Sequence, residues 1–240
     1  MKIFKDDKKI TRNARIGQFT TLGGLIVLGI GMFITFSYPE NPTMVAPAWA
    51  CLLAGFLLSQ VGIYFGNRFG RRPRPDEILD AALKGMDDRW AVFHYYNKLA
   101  EHLLIGPGGI WILKPYHQVG KLMRNPKNNR WQIKGGGIFQ AYLRIFAQEN
   151  IGRPDLEIQS DIDDLKKLIK AKNPDLELPI IRTALAMTNV KAVIDVEDPS
   201  EDNIYPVLAT KLKELVRKLS KENTLPPAKL TEIIQALGGE

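Results

Sequence analysis

Two long uncharged stretches constrain this chain more than anything else in it. No charged residue occurs from Ile16 to Pro39, and none from Asn41 to Asn67. Each stretch holds about 20 largely apolar residues, the number a helix needs to cross roughly 30 Å of hydrocarbon. The predicted spans are 16–38 and 44–66, joined by Pro39, Glu40, Asn41 and Pro42. So short a connection makes a helical hairpin with both outer ends on one side. The first run is too long for the apolar core of a signal peptide, and a second span follows directly.

Charge adds direction. The 240 residues carry 33 Lys+Arg and 26 Asp+Glu, a formal net charge of +7. Residues 1–74 contain ten of the basic residues and only three acids, Asp6, Asp7 and Glu40, so 75–240 is formally neutral. Lys2, Lys5, Lys8, Lys9, Arg12 and Arg15 precede the first span. Arg68, Arg71, Arg72 and Arg74 follow the second, and the turn holds Glu40 alone. By the positive-inside rule both termini lie in the cytoplasm, and the chain is a multi-pass protein of the cell membrane. Tyr38, Trp49 and Tyr64 fall near span ends, where aromatic rings favour the interface.

The bilayer is therefore the first expected partner. The four arginines are expected to meet lipid headgroups, each attracted by about 1 kcal/mol near an anionic surface. A neutral remainder argues against nucleic acid as a partner. The single cysteine, Cys51, excludes an intramolecular disulfide and any multi-cysteine metal site, and reads as a small apolar filler. Gly62 and Gly66 form a small-xxx-small pair suited to a close helix contact.

Beyond Pro75 the pattern becomes mixed. Asp76 is placed to cap a helix over about 77–86. Residues 91–97 read as a strand. Runs 102–105 and 110–113 flank Gly106, Pro107, Gly108 and Gly109, a turn signal; a phosphate-cradling loop would open a helix, and this one opens a strand. Segments 119–123 and 130–133 read as a hairpin. Phe139, Tyr142, Leu143 and Phe146 share one face of a short helix. Ile158, Ile162, Leu165 and Ile169 mark a helix over about 155–172. Segments 178–187 and 190–196 read as strands, and 209–220 as a helix. A last helix follows Thr224, with Leu230, Ile233, Ile234 and Leu237 on one face. The order implies an α/β fold with a mixed sheet. The expected layout is a basic N-terminus (1–15), the hairpin, an Arg-rich linker (67–74), a cytoplasmic domain (75–220) and a C-terminal helix (221–240).

The stretch Glu101-His102-Leu103-Leu104-Ile105-Gly106-Pro107-Gly108-Gly109-Ile110-Trp111-Ile112-Leu113 resembles the core of the nuclease-related domain (NERD) family, a member of the restriction-endonuclease-like fold group. That core runs acid, His, apolar strand, Gly-Pro-Gly-Gly, apolar strand, then Glu-x-Lys, a Gly and a Trp. Gly120 and Trp131 stand where the last two belong, and Glu77 resembles the family's first acid. The resemblance covers about 75–220. It implies a restriction-endonuclease-like mixed-sheet domain behind the transmembrane hairpin.

Nuclease chemistry in such a fold needs two carboxylates holding Mg²⁺ to activate a water, and a lysine to stabilise developing charge. Laid on the motif without gaps, Glu101 takes the first acid's place. Lys114, Pro115 and Tyr116 replace Glu-x-Lys. Magnesium prefers carboxylate oxygens and gains nothing from an adjacent lysine. Glu77, Glu101, Lys114 and Tyr116 therefore read as vestiges of a site, with no cofactor expected. Lys114 is placed to pair with Glu101 or Glu77, or to face solvent. His94, His102 and His117 fit no zinc spacing. The expectation is a membrane protein without nuclease activity that binds, scaffolds or senses, with a membrane or cytoplasmic protein partner. The alternatives are a metal-dependent nuclease using Glu77, Glu101 and a weak Mg²⁺ site, or an assembly factor of a membrane complex.

Overall fold

The computed structural model describes residues 1–96, 100–125, 128, 130–135, 137, 151–196, 202–222 and 224–239. The predicted short helix carrying Phe139, Tyr142, Leu143 and Phe146 lies outside them. The described chain divides into Asp7–Arg74 and a unit built from Met1–Asp6 and the residues from Pro75 onward.

The first unit is a pair of long helices, α1 (Asp7–Ser37) and α2 (Pro42–Phe65). Both are long and apolar enough to cross a membrane. Helix α1 begins earlier than the predicted span. Its 31 residues reach about 46 Å at 1.5 Å per residue, so Lys8, Lys9, Arg12 and Arg15 ride on the same helix. Asn41 caps α2, its side chain accepting from the Thr43 amide at 3.0 Å, and Pro42 fills the first helical position. Residues Gly66–Gly70 close α2 with a π-helical turn, so the predicted linker is partly helical.

The two helices touch through small residues seven apart. Gly17, Gly24 and Gly31 are buried on α1, and Ala48, Gly55 and Gly62 on α2. A Cβ on Gly24 would lie 2.9 Å from the Gly55 carbonyl oxygen; one on Gly55 would lie 2.7 Å from the Leu28 amide nitrogen. Only hydrogen fits there, so the backbones meet directly. The predicted Gly62/Gly66 pair is half realised. Gly62 abuts Thr21, whereas a Cβ on Gly66 would meet nothing within 4 Å. The contact repeat is seven residues, not four.

The second unit is a mixed α/β structure. Its main sheet has six strands in the order β1-β2-β3-β4-β7-β9: β1 Lys2–Lys5, β2 Ala91–His94, β3 His102–Gly106, β4 Gly109–Tyr116, β7 Ile181–Met187 and β9 Ile204–Leu208. Strands β2, β3 and β4 form an antiparallel meander, β7 runs parallel to β4, β9 parallel to β7, and β1 parallel to β2. A smaller sheet holds β5 (Lys121–Arg124) and β6 (Trp131–Lys134), antiparallel as expected, with β8 (Val193–Asp195) parallel to β5.

Helices cover both faces of the main sheet. Leu79 of α3 (Pro75–Ala82) and Val216 of α5 (Leu212–Ser220) pack with Trp111 and Leu113. On the opposite face Leu165 and Ile169 of α4 (Pro154–Lys172), and Ile233 of α6 (Pro227–Ala236), pack with Phe93, Leu103 and Ile112.

Three expectations need correction. The N-terminus is not merely a basic tail, because Lys2–Lys5 is the sheet's edge strand. The C-terminal helix, set apart from the 75–220 domain in the expected layout, packs its apolar stripe into the same core as β2 and β3. Helix α3 stops at Ala82, short of residue 86, where the chain turns through Gly85 at φ +82°. Asp76 accordingly sits inside its first turn.

Candidate functional site

Strand parity decides where Lys114 and Tyr116 go. Ile110 and Ile112 face α4, while Trp111 and Leu113 face α3. Two residues on from Ile112, Lys114 shares the α4 face. Its ammonium lies 2.6 Å from Asp161 Oδ2 and 3.7 Å from Glu157 Oε2, both on α4. This corrects the expected pairing with Glu77 or Glu101. Glu77 belongs to α3, across the sheet. Glu101 precedes β3, and continuing the β3–β4 register would set it opposite Lys114. The lysine's long stem carries the charge instead to the helix above. Tyr116 ends β4 on the same face, half-buried near Ile158 and Ile162.

The Gly-Pro-Gly-Gly segment is a tight, packed turn. A Cβ on Gly106 would strike the Trp90 ring, and one on Gly108 would strike Ser220. Gly109, at φ +104°, lies against the Ile180 carbonyl. The buried Arg182 guanidinium donates to the Gly108 carbonyl oxygen at 2.8 Å beside the Trp111 ring. The turn's amides are thus enclosed by protein, which suits the hairpin reading of this segment.

A second cluster gathers residues that lie far apart in the chain. Lys5, the last residue of β1, holds two carboxylates of α3: Nζ lies 2.7 Å from Asp76 Oδ2 and 3.1 Å from Asp80 Oδ2. Asp76 is fully buried. The other oxygen of Asp80 is 2.9 Å from His94 Nε2, and His94 Nδ1 is 2.8 Å from His102 Nδ1. A carboxylate only accepts, so His94 Nε2–H donates to Asp80. With His94 neutral, its Nδ1 accepts from His102 Nδ1–H.

Burial opposes the Lys5 charge, but hydrogen bonds and charges from Asp76 and Asp80 outweigh it, and its pKa is raised. Burial likewise favours the neutral Asp80 carboxyl. The hydrogen bond from His94, then the hydrogen bond and charge of Lys5, outweigh it and hold the pKa below the ordinary value. Chemically the chain can pass one proton between Asp80 and the two imidazoles. Structurally it ties β1, α3, β2 and β3 together. His94 and His102 are directly paired across the β2–β3 ladder.

Among the described residues no group of three or more His, Cys, Asp or Glu side chains is arranged to hold a metal ion. At the position where the resemblance would set a metal-binding carboxylate stands the Lys114 ammonium, held by Asp161.

The predicted headgroup arginines follow α2. Arg68, in the π-helical turn, donates to the Tyr64 hydroxyl and lies over its ring, with the guanidinium carbon 4.5 Å from the ring centre. Arg71 and Arg72 are exposed and Arg74 is half-buried.

Comparison of the chain with protein-family models, with curated proteins and with solved structures yields no match.

Proposed function

We propose that this is a two-span membrane protein whose cytoplasmic domain is a nuclease-related domain without nuclease activity, serving to bind or scaffold a partner at the membrane. The observation that carries the membrane part is the inverted burial of the helical pair. Phe19, Phe33, Phe36 and Trp49 are 71, 64, 77 and 69% exposed, whereas the glycines are buried. Water would penalise that arrangement, and hydrocarbon accepts it. The shared sheet supports a common side for both ends of the hairpin. The residues just before α1 form β1, and the residues just after the hairpin form α3 of the same unit. The cationic flanks then assign that side to the cytoplasm.

The nuclease-related reading is supported by the order of elements. The two strands flanking Gly-Pro-Gly-Gly pair antiparallel, and a helix and a parallel strand follow as the resemblance implies. The inactive reading is supported by the Lys114–Asp161 ion pair in place of a metal-binding carboxylate. The test is incubation of the purified full-length protein with DNA and RNA in Mg²⁺ and in Mn²⁺. No cleavage above a metal-free control is expected. Cleavage that disappears on Glu101→Ala would establish the atypical nuclease instead.

A further inference from the structure

Three cations on α1 differ from the others at this end of the hairpin. Lys8, Arg12 and Arg15 are exposed, and each makes no ion pair or hydrogen bond among the described residues. They stand about one turn apart on one helical stripe, which continues into Ile16 and Phe19. The same residues line an open groove, with Asp7 at its start. Three cations against one acid leave the polar end of the groove net positive. Its other end is apolar, and Phe19 is 71% exposed. With α1 in a bilayer, the charged turns lie at headgroup depth and Ile16 and Phe19 at acyl-chain depth.

We propose that this face of α1 is a binding site for an anionic phospholipid, its phosphate held by Lys8, Arg12 and Arg15 and an acyl chain lying along Ile16 and Phe19. The inference rests on the membrane reading above and adds to it a defined ligand class. Topology alone would be satisfied by cations anywhere near the span end. The alignment of three cations directly above an apolar stripe is what a headgroup and its chain both need. Arg12 and Arg15 supply forked donors suited to phosphate oxygens, and Lys8 a point charge.

The experiment is native mass spectrometry of the purified full-length protein, given equal amounts of phosphatidylglycerol and phosphatidylcholine. About tenfold preferential retention of phosphatidylglycerol is expected, in line with the attraction of a few juxtamembrane cations to an anionic lipid. Lys8→Gln/Arg12→Gln/Arg15→Gln should abolish the preference. Arg12→Lys/Arg15→Lys should keep most of it, and Arg71→Gln/Arg72→Gln/Arg74→Gln should weaken it less than the triple Gln variant of α1 does; equal loss in the two triple variants would overturn the site. A triple Gln variant that retains the preference overturns the site, as does wild-type protein with no preference. Displacement of the lipid by millimolar inorganic phosphate would mean a free-phosphate site and also overturns it. Alkaline carbonate extraction of the same preparations keeps the two readings distinguishable. Protein that stays with the membrane but shows no lipid preference refutes the lipid site alone. Protein released by carbonate refutes the membrane reading itself.

Discussion

The hairpin and the sheet domain use large apolar residues in opposite ways. In the domain, Trp111, Phe93 and Leu104 are fully buried between sheet and helices. In the hairpin, Phe33 and Trp49 face outward and the glycines face in. The domain is driven together by removing apolar surface from water. On the proposed membrane reading the hairpin has no such drive within hydrocarbon, so close backbone packing supplies its cohesion. Substitutions of the same kind should therefore have opposite consequences in the two regions.

The largest effect is expected from adding bulk where the hairpin has none. Gly55→Leu should prevent α1 and α2 from packing, since even a Cβ lies 2.7 Å from the Leu28 amide nitrogen. Gly29→Leu, whose Cβ would meet nothing within 4 Å, should be tolerated. Cysteine cross-linking between the helices, in a chain lacking Cys51, reads this directly. Equal disruption by both variants would break the contrast.

Next comes removal of bulk. Trp111→Ala should destabilise the domain by about 3–5 kcal/mol, the range for emptying a packed core. Phe33→Ala should cost less than about 1 kcal/mol, because on the proposed membrane reading its ring faces lipid whether or not the helices are paired. Denaturant titration of the domain signal, and of helix pairing in detergent, gives the two values.

Lys5 tests how firmly β1 is tied to the domain. Lys5→Ala takes the ammonium away from the fully buried Asp76 carboxylate and should cost about 3 kcal/mol. Lys114→Met should cost less, about 1–2 kcal/mol, because the Asp161 and Glu157 side chains are 23% and 50% exposed, whereas Asp76 is fully buried. Equal losses would show that the two ion pairs are not the deep and shallow pair described.

The smallest effects concern pH. The stability Asp80 contributes is fully present above its ordinary value of 3.8 and is lost as pH falls through its lowered folded-state pKa. That of Lys5 is fully present below 10.5 and is lost as pH rises through its raised pKa. Melting temperature should be flat with respect to this pair between those limits. Lys5→Met should remove the alkaline loss; an unchanged alkaline limb would exclude Lys5 as its cause.

The same contrast explains what was legible in the sequence. A membrane span announces itself locally, by some 20 uncharged apolar residues, and α1 and α2 appear where those runs are. Their packing did not announce itself. The seven-residue spacing of Gly17, Gly24 and Gly31 stands among other glycines, such as Gly23 and Gly29, that touch nothing. In the domain, α4 and the β2–β4 meander follow from periodicity and turn residues. Strand β1 does not, because four residues carry no period and its partner lies 89 residues away, Lys2 opposite Ala91. Strand β9 is disguised by Pro206 in its centre, which its place at the sheet edge tolerates. The Lys5–Asp80–His94–His102 cluster draws on four separate elements, so no local spacing could reveal it. The resemblance sets Lys114 at a metal-ligand position, but nothing in the local sequence names its partner. Asp161 comes from a helix that only the fold brings over the strand.

The most direct test of the two-span topology is labelling of single cysteines in intact cells with a membrane-impermeant maleimide, in a Cys51→Ala background. Glu40→Cys in the hairpin turn should be labelled from outside. Lys167→Cys, on the exposed side of α4, should be labelled only after the membrane is permeabilised. Labelling of Lys167→Cys in intact cells, or protection of Glu40→Cys until permeabilisation, would contradict a hairpin that returns to a cytoplasmic domain.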